Sequence, residues 1–296
     1  MRIAITGASG LVGTALSDRL RDDGHEVTPV VRHSPGDNEI GWSVDEQRIE
    51  DGAFDGVDGV VHLAGAGIAD ERWTDDRKRE IRESRTVGTS LVANAVTAAK
   101  NGPSVLLSGS AIGIYGTSLD ATFDERSPIG TGFLADTCEA WEAAAAPATG
   151  EGARVAFLRS GIVLSANGGA LEKQLPLFKF GLGGKMGSGD QWQSWIHIDD
   201  EVGAIVHLLT SSIDGPVNLT APNPVTNAEF TDTLGDVLGR PTFLPIPKFG
   251  PKLLLGGELA DNLLFTGQKV VPSVLESTGY TFAHPTLDGA LRDLLS

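Results

Sequence analysis

The chain is poor in the residues that carry thiol, metal and phenol chemistry. Its 296 residues include one cysteine, Cys138, and two tyrosines, Tyr115 and Tyr280. A lone cysteine excludes an internal disulfide and any cysteine metal cluster. No G-x-S-x-G elbow and no helical His/Glu metal spacing occurs, which leaves hydrolase and metalloenzyme readings without support. Basic residues number 23 against 39 acidic ones, a net charge of −16. A nucleic-acid partner is excluded on that balance, because counterion release needs a basic stripe. The densest basic run, Arg77-Lys78-Arg79 with Arg82 and Arg85, is interleaved with Asp75, Asp76, Glu80 and Glu83. That spacing is expected of a solvated helix laced with i,i+3 and i,i+4 pairs. Apolar runs fall far short of the ~20 residues that cross a bilayer. The start, MRIAITGASG, has no charged-then-apolar leader pattern. The expectation is a soluble cytoplasmic protein with no membrane partner. The acidity suits either concentrated salt or an ordinary acidic cytosolic protein.

At 30.9 kDa and a mean hydropathy of −0.02 the chain is ordinary for a globular protein of about two units. Apolar segments at 2–6, 27–31, 59–64, 104–108 and 154–158 read as strands. Segments 11–23, 75–100 and 134–146 carry helical spacing. Gly24 stands where a helix C-terminal glycine belongs. Strands apolar on both faces, alternating with helices, predict an α/β fold: a doubly wound parallel sheet covered on both sides. Beyond residue 165 the pattern loosens. A helix is expected over 200–210, a strand over 217–220, and a helix over 227–238 with Asn227 as its cap. The predicted organisation is a Rossmann-type domain over 1–165 with strand and helix contributions from about 200–239. A substrate-lid region over 166–199 and a small α/β C-terminal subdomain over 240–296 complete it.

Thr6-Gly7-Ala8-Ser9-Gly10-Leu11-Val12-Gly13 joins the first strand to the first helix. The glycines allow a tight turn, close approach of a pyrophosphate to the backbone, and close helix–strand packing. The helix start then offers free N–H groups and its positive dipole end to phosphate. The second strand ends Val30-Val31-Arg32-His33, with no carboxylate to bind a ribose 2′-hydroxyl. Arg32 can pair with a 2′-phosphate and stack on adenine, so NADP(H) is expected rather than NAD(H). His62-Leu63-Ala64-Gly65 ends the third apolar strand with small residues along the cofactor's path; His62 itself reads as a core histidine.

TGASGLVG, the HLAG strand end and SGSAIGIYG (residues 108–116) together resemble the extended short-chain dehydrogenase/reductase, or NAD-dependent epimerase/dehydratase, superfamily. ADERWT (69–74), CEAWEAAA (138–145), RSGIVLSANGGAL (159–171), GSGDQWQSWIHIDD (187–200) and QKVVPSVLESTGYTFAHPTLDGAL (268–291) resemble its atypical epimerase-like branch with a distinctive C-terminal domain. The resemblance covers nearly the whole chain. It implies an NADP(H) site formed by Thr6, Gly7, Ser9, Gly10, Leu11, Val12, Gly13, Arg32, His33, Leu63, Ala64, Gly65, Ser108, Gly161 and Ile162. A small-molecule substrate, phosphate-bearing on the analogy to sugar nucleotides, would bind beyond residue 165. The oligomeric state stays open, a homodimer among the options.

The chemistry departs from the superfamily, whose members use a Tyr-x-x-x-Lys pair and a Ser or Thr. The lysine tunes a phenol that is otherwise a poor base at neutral pH. Here Leu119 follows Tyr115 by four residues, His284 follows Tyr280, and no lysine lies between Lys100 and Lys173. Aligned through Glu142, Leu134 stands at the tyrosine position and Cys138 at the lysine position. The remaining catalytic candidates are Ser110, matching the superfamily's hydroxyl, and Tyr115, either a proton donor or an aromatic that shapes the pocket. Ser108 is the alternative to Ser110. Cys138 reads as a buried thiol rather than a nucleophile. Residues 174–195 are glycine-rich and carry Lys179, Lys185, Trp192 and Trp195. They read either as a lid for a phosphate-bearing or aromatic ligand or as a packed crossover. Asp199 and Asp200 are expected to cap the next helix, and His197 to brace the Rossmann domain against the lid. Arg72, Asp136 and Glu139 are further pocket candidates. Two functions follow: an NADP(H)-dependent oxidoreductase or epimerase-like enzyme, or a non-catalytic NADP(H)-binding sensor or partner-binding module.

Overall fold

The structure is a computed structural model and describes residues 1–150 and 152–296. The first half runs β1 (Arg2–Thr6), α1 (Leu11–Asp22), β2 (Glu26–Val31), β3 (Ile40–Ser43), β4 (Arg48–Ile49), β5 (Gly59–His62), α2 (Asp75–Ala98), β6 (Val105–Ala111), β7 (Thr122–Phe123), α3 (Phe133–Ala143) and β8 (Arg154–Ser160). The second half adds β9 (Ile162–Ser165), α4 (Gly169–Lys179), β10 (Trp192–Gln193), β11 (Trp195–His197), α5 (Ile198–Thr210), β12 (Gly215–Leu219), β13 (Val225–Thr226) and α6 (Asn227–Leu238). The chain ends with α7 (Phe249–Leu255), α8 (Gly257–Leu264), β14 (Lys269–Val270), α9 (Ser273–Ser277) and α10 (Leu287–Leu295).

The main sheet has the order β12-β8-β6-β5-β1-β2-β3-β4. Its pairings are parallel except β3 with β4. The chain starts in β1, winds out through β2 and β3, then returns to β5 on the other side. The order therefore reverses between β1 and β5, and a crevice opens at the strands' carboxyl ends there. Alternation along each strand fills both faces. Ile3, Ile5, Val61, Leu107, Leu158, Val217 and Leu219 pack against Leu16 and Leu20 of α1 and Ile205 and Leu208 of α5. Ala4, Val60, Leu106 and Val155 face the other way, onto Val92, Ala93 and Val96 of α2. A third core joins Leu171, Leu175 and Phe178 of α4, Trp195, Phe230 and Leu234 of α6, and Leu287 and Leu291 of α10.

Three local expectations change. The 227–238 helix is capped by Thr226, not Asn227: Thr226 and Glu229 form a reciprocal capping box. The head of α5 is capped by the His197 ring, whose Nδ1 accepts from the Asp199 N–H at 3.0 Å. Asp200 instead turns to the chain's tail and accepts from the Ala283 and His284 N–H groups at 2.8 and 2.9 Å. The basic run of α2 is not wholly solvated either. Arg77 is buried, its guanidinium donating to the Gly67 carbonyl at 2.6 Å and to Glu80 at 2.7 Å.

Glu201 of α5 is a carboxyl inside the sheet–helix core. Ser160 donates to its Oε1 at 2.6 Å, while its Oε2 is buried without a partner among the described residues. Burial pushes its pKa from the ordinary 4.5 up to about 7. Between those values the folded chain holds a proton that the unfolded chain has released. This group's contribution is therefore complete below about 4.5 and is lost as pH rises through about 7, a change of about 3 kcal/mol. Urea unfolding of wild type and Glu201→Gln at pH 4 and pH 8 checks this. The stability difference between them should move in favour of the variant by about 3 kcal/mol on going to pH 8.

Candidate functional site

The turn between β1 and α1 depends on two close approaches. A Cβ on Gly13 would lie 2.1 Å from the Gly7 carbonyl oxygen, so only glycine lets α1 start against the turn. Gly7 has a φ of +69°, and a Cβ there would meet the Leu63 and Ala64 backbone at 3.0 Å. Helix α1 begins after Gly10 with no side-chain cap and no acidic residue in its first turn. Its leading N–H groups are left for an anion.

Behind the turn, the Thr6 hydroxyl accepts from the Leu63 and Ala64 N–H groups at 3.1 and 3.2 Å. Its own hydrogen is then directed to His62 Nδ1 at 2.7 Å. His62 is therefore the neutral Nε2–H tautomer, edge-on to Trp42. Full burial pulls its pKa down to about 4. It is a core histidine that ties β1 to β5. At the end of β2, Arg32 is exposed. Among the described residues it makes no side-chain hydrogen bond or ion pair, whereas His33 lies 3.3 Å from Glu39.

A second polar row crosses the carboxyl end of the sheet. Register sets Ser110 of β6 beside Arg159 of β8, and Arg159 beside Asn218 of β12. Glu142 of α3 caps the row. It takes Ser110 Oγ–H at 2.7 Å and both Arg159 Nε–H and a terminal N–H at 2.8 and 2.9 Å. Arg159 also donates to the Tyr115 hydroxyl at 2.9 Å, which donates to Asn218 Oδ1 at 2.7 Å. Asn218 N–H and Val274 N–H both donate to Glu125 Oε1, at 3.0 and 3.2 Å. One network thus links the sheet, α3 and the chain's tail. Burial raises the Tyr115 pKa, with Arg159 pulling the other way.

The model of the NAD dependent epimerase/dehydratase family matches residues 3–219, and that of a domain of unknown function (DUF1731) matches residues 246–294. The chain belongs to the NAD-dependent epimerase/dehydratase family. An epimerase family protein of Mycobacterium bovis is 43% identical over 98% of this chain and 96% of its own. The crystal structure of human epimerase family protein SDR39U1 with NADPH superposes at a TM-score of 0.92, with 38% identity and 99% of each chain covered. A nucleoside-diphosphate sugar epimerase from Corynebacterium glutamicum gives a TM-score of 0.81 and 36% identity, over 99% of this chain and 58% of its own.

Within this epimerase-family fold, the sequence-derived site residues fall into separate groups. Gly7, Ser9, Gly10, Leu11, Val12 and Gly13 surround the head of α1, with Thr6, Leu63 and Ala64 bonded behind it. Gly65 lies against Arg85, which also stacks on Trp141. Gly161 N–H donates to the Leu219 carbonyl, and Ile162 N–H to that of Ser194. Ser108 is fully buried and its hydroxyl has no partner among the described residues. Ser110 and Tyr115 are joined only through Glu142 and Arg159. Tyr115 is buried with both hydroxyl roles filled.

The positions where the dyad would stand, Leu134 and Cys138, are near neighbours of Gly113. Burial pushes the Cys138 thiol up to about 12. Asp136 and Glu139 are exposed. Arg72 turns away, to the Leu253 and Leu254 carbonyls. The two lid readings divide between the tryptophans. Trp195 is fully buried in the third core, whereas half-buried Trp192 donates to the Leu119 carbonyl and carries Lys269 over its ring at 4.5 Å.

Arg159, Asn218 and Glu125 were not singled out in sequence, and Glu142 served there only to place the dyad positions. The available signal was a charged residue in an apolar strand, RVAFLRS, which demands a buried carboxylate. Arg159 and Glu142 are almost wholly buried. Arg159→Met should destabilise the protein by about 3–5 kcal/mol, because it strands the Glu142 charge. The double variant Arg159→Met/Glu142→Leu should recover more than half of that loss. Urea midpoints of the three proteins check this.

Proposed function

We propose that this chain binds NADP(H) and acts as an oxidoreductase or epimerase-like enzyme in which Ser110 stands in for the family's tyrosine. The observation that carries the reading is the uncapped glycine cradle at α1 combined with exposed Arg32 at the end of β2, unpaired among the described residues. The residues fit a dinucleotide with an extra phosphate. N–H groups after Gly10 would hold the diphosphate. Arg32 would meet the 2′-phosphate with charge-assisted hydrogen bonds, while the acid near that strand end, Glu39, is engaged by His33 and the Gly36 N–H. Bound nicotinamide supplies hydride chemistry. The human relative solved with NADPH adds weight to the choice of cofactor.

On the protein side, Ser110 Oγ can accept a substrate hydroxyl hydrogen while passing its own to Glu142. Arg159 holds that carboxylate in place. Tyr115 shapes the pocket wall. Residues 166–199 and the tail form the substrate side, where Lys269 over Trp192 puts a cation and an indole in one place for a phosphate-bearing substrate. The rival reading is a sensor that binds NADP(H) without turnover. It is favoured by the missing dyad and by the engaged Tyr115 hydroxyl.

Titration by NADPH fluorescence tests the cofactor assignment. Arg32→Ala should weaken NADPH binding about 10- to 100-fold, the range of a lost charged hydrogen bond, and leave NADH unchanged. Equal losses for both dinucleotides would refute the assignment. NADPH oxidation with a panel of carbonyl substrates tests catalysis. Ser110→Ala should cost about 100-fold or more and Tyr115→Phe much less. Tight NADPH binding without turnover on any substrate would favour the sensor.

A further inference from the structure

At the junction of α5, the tail and α10, two histidines and two aspartates converge. His197 is 1% exposed. Its Nδ1 takes the Asp199 N–H as the cap of α5, so the ring's hydrogen lies on Nε2. Among the described residues that buried Nε2 has no hydrogen-bond partner, yet it points at Asp293 Oδ2 of α10, 3.3 Å away. The His284 ring stacks on it with centroids 3.7 Å apart and planes 22° apart. Asp199 Oδ2 lies 3.9 Å from both His197 Nδ1 and His284 Nε2. One donor atom from each of the four residues lies within 4.8 Å of the others. The backbone around His284 is fixed independently, because Asp200 holds the Ala283 and His284 N–H groups.

Two stacked imidazoles thus face two half-exposed carboxylates, with the buried His197 Nε2 left without a hydrogen bond among the described residues. A single doubly charged cation satisfies all four. We propose that His197, Asp199, His284 and Asp293 form a binding site for one divalent metal ion of the zinc class, which clasps α10 and the tail to the head of α5. Imidazole with carboxylate is the donor set of zinc and its borderline neighbours rather than of calcium or magnesium, which take oxygen ligands. Binding moves the His197 ring hydrogen from Nε2 to Nδ1. The Asp199 N–H then gives up its ring acceptor to water, and the two rings fan apart from their stack. The ion would join the third core, through Asp293 beside Leu291, to the sheet domain. The site is therefore structural, separate from hydride chemistry, and independent of the cofactor reading.

The test uses full-length, tag-free protein stripped with chelator, and Zn²⁺ and Co²⁺ as probes. Calorimetric titration with ZnCl₂ should give one site per chain with a micromolar or tighter Kd and a rise in Tm. Co²⁺ should give the visible bands of a four-coordinate site. His284→Gln and Asp293→Asn, neither of which removes the α5 cap, should each weaken Zn²⁺ at least tenfold while NADPH titration stays as in wild type. No binding at 100-fold excess of zinc over protein would overturn the site. So would binding that both variants leave unaltered, which marks adventitious surface metal.

Discussion

The architecture depends on how closely α1 can approach the turn that precedes it. At Gly13 the gap to the Gly7 carbonyl leaves no room for a side chain. That contact fixes where the helix starts, and the start fixes where its unpaired N–H groups point. The sheet order adds the second half of the constraint. Because the chain leaves β1 in one direction and returns at β5 in the other, the crevice falls at that same helix start. Thr6 and His62 lock β1 to β5 beneath it, so the two strands that flank the crevice cannot shift independently. A cradle built this way is rigid before any ligand arrives, which lowers the ordering cost of binding.

The polar row of Ser110, Arg159 and Asn218 is the fold's other commitment. A guanidinium in a central strand is costly to bury, and its cost is met by a bidentate carboxylate from a different element. That pairing ties α3 to the sheet. Through Tyr115, Asn218 and Glu125 the same network reaches the backbone at Val274, near the chain's end. At this corner Ser110, Arg159, Tyr115 and Asn218 are buried and bonded in one chain through Glu142. Engagement accounts for the orientation of Ser110 and for the loss of freedom at Tyr115.

What the sequence made legible follows from local physics. The glycine turn, the strands apolar on both faces and the exposed arginine after β2 are written in neighbouring letters. Their placement needs only strand and helix periods. Three kinds of feature were hidden. Strands as short as β7, β9 and β14 carry too few residues for a period. Helix α4 contains Pro176 and starts at glycines, so its signal resembled a loop. Long-range pairs such as Glu142 with Arg159, or Asp200 with the tail, depend on which elements become neighbours. The cap of α5 misled for a related reason: an Asp-Asp pair at a helix start is the usual signature, but the tail competed for Asp200 and left the cap to His197.

Two strongly shifted buried groups of the sheet domain, His62 and Glu201, act against each other. His62, held near 4, binds fewer protons in the folded chain than in the unfolded one between about 4 and 6.5. Its contribution is present above that window and is lost as pH falls through it. Glu201, held near 7, binds more protons in the folded chain between about 4.5 and 7, so its contribution is lost as pH rises. The windows overlap from about 4.5 to 6.5, and there the two slopes, each about 1.4 kcal/mol per pH unit, cancel. Neither group touches the other: one lies on the α2 face of the sheet and the other beneath α5. The contributions of these two burials therefore offset one another across mildly acidic pH, and removing either one exposes the slope of the other.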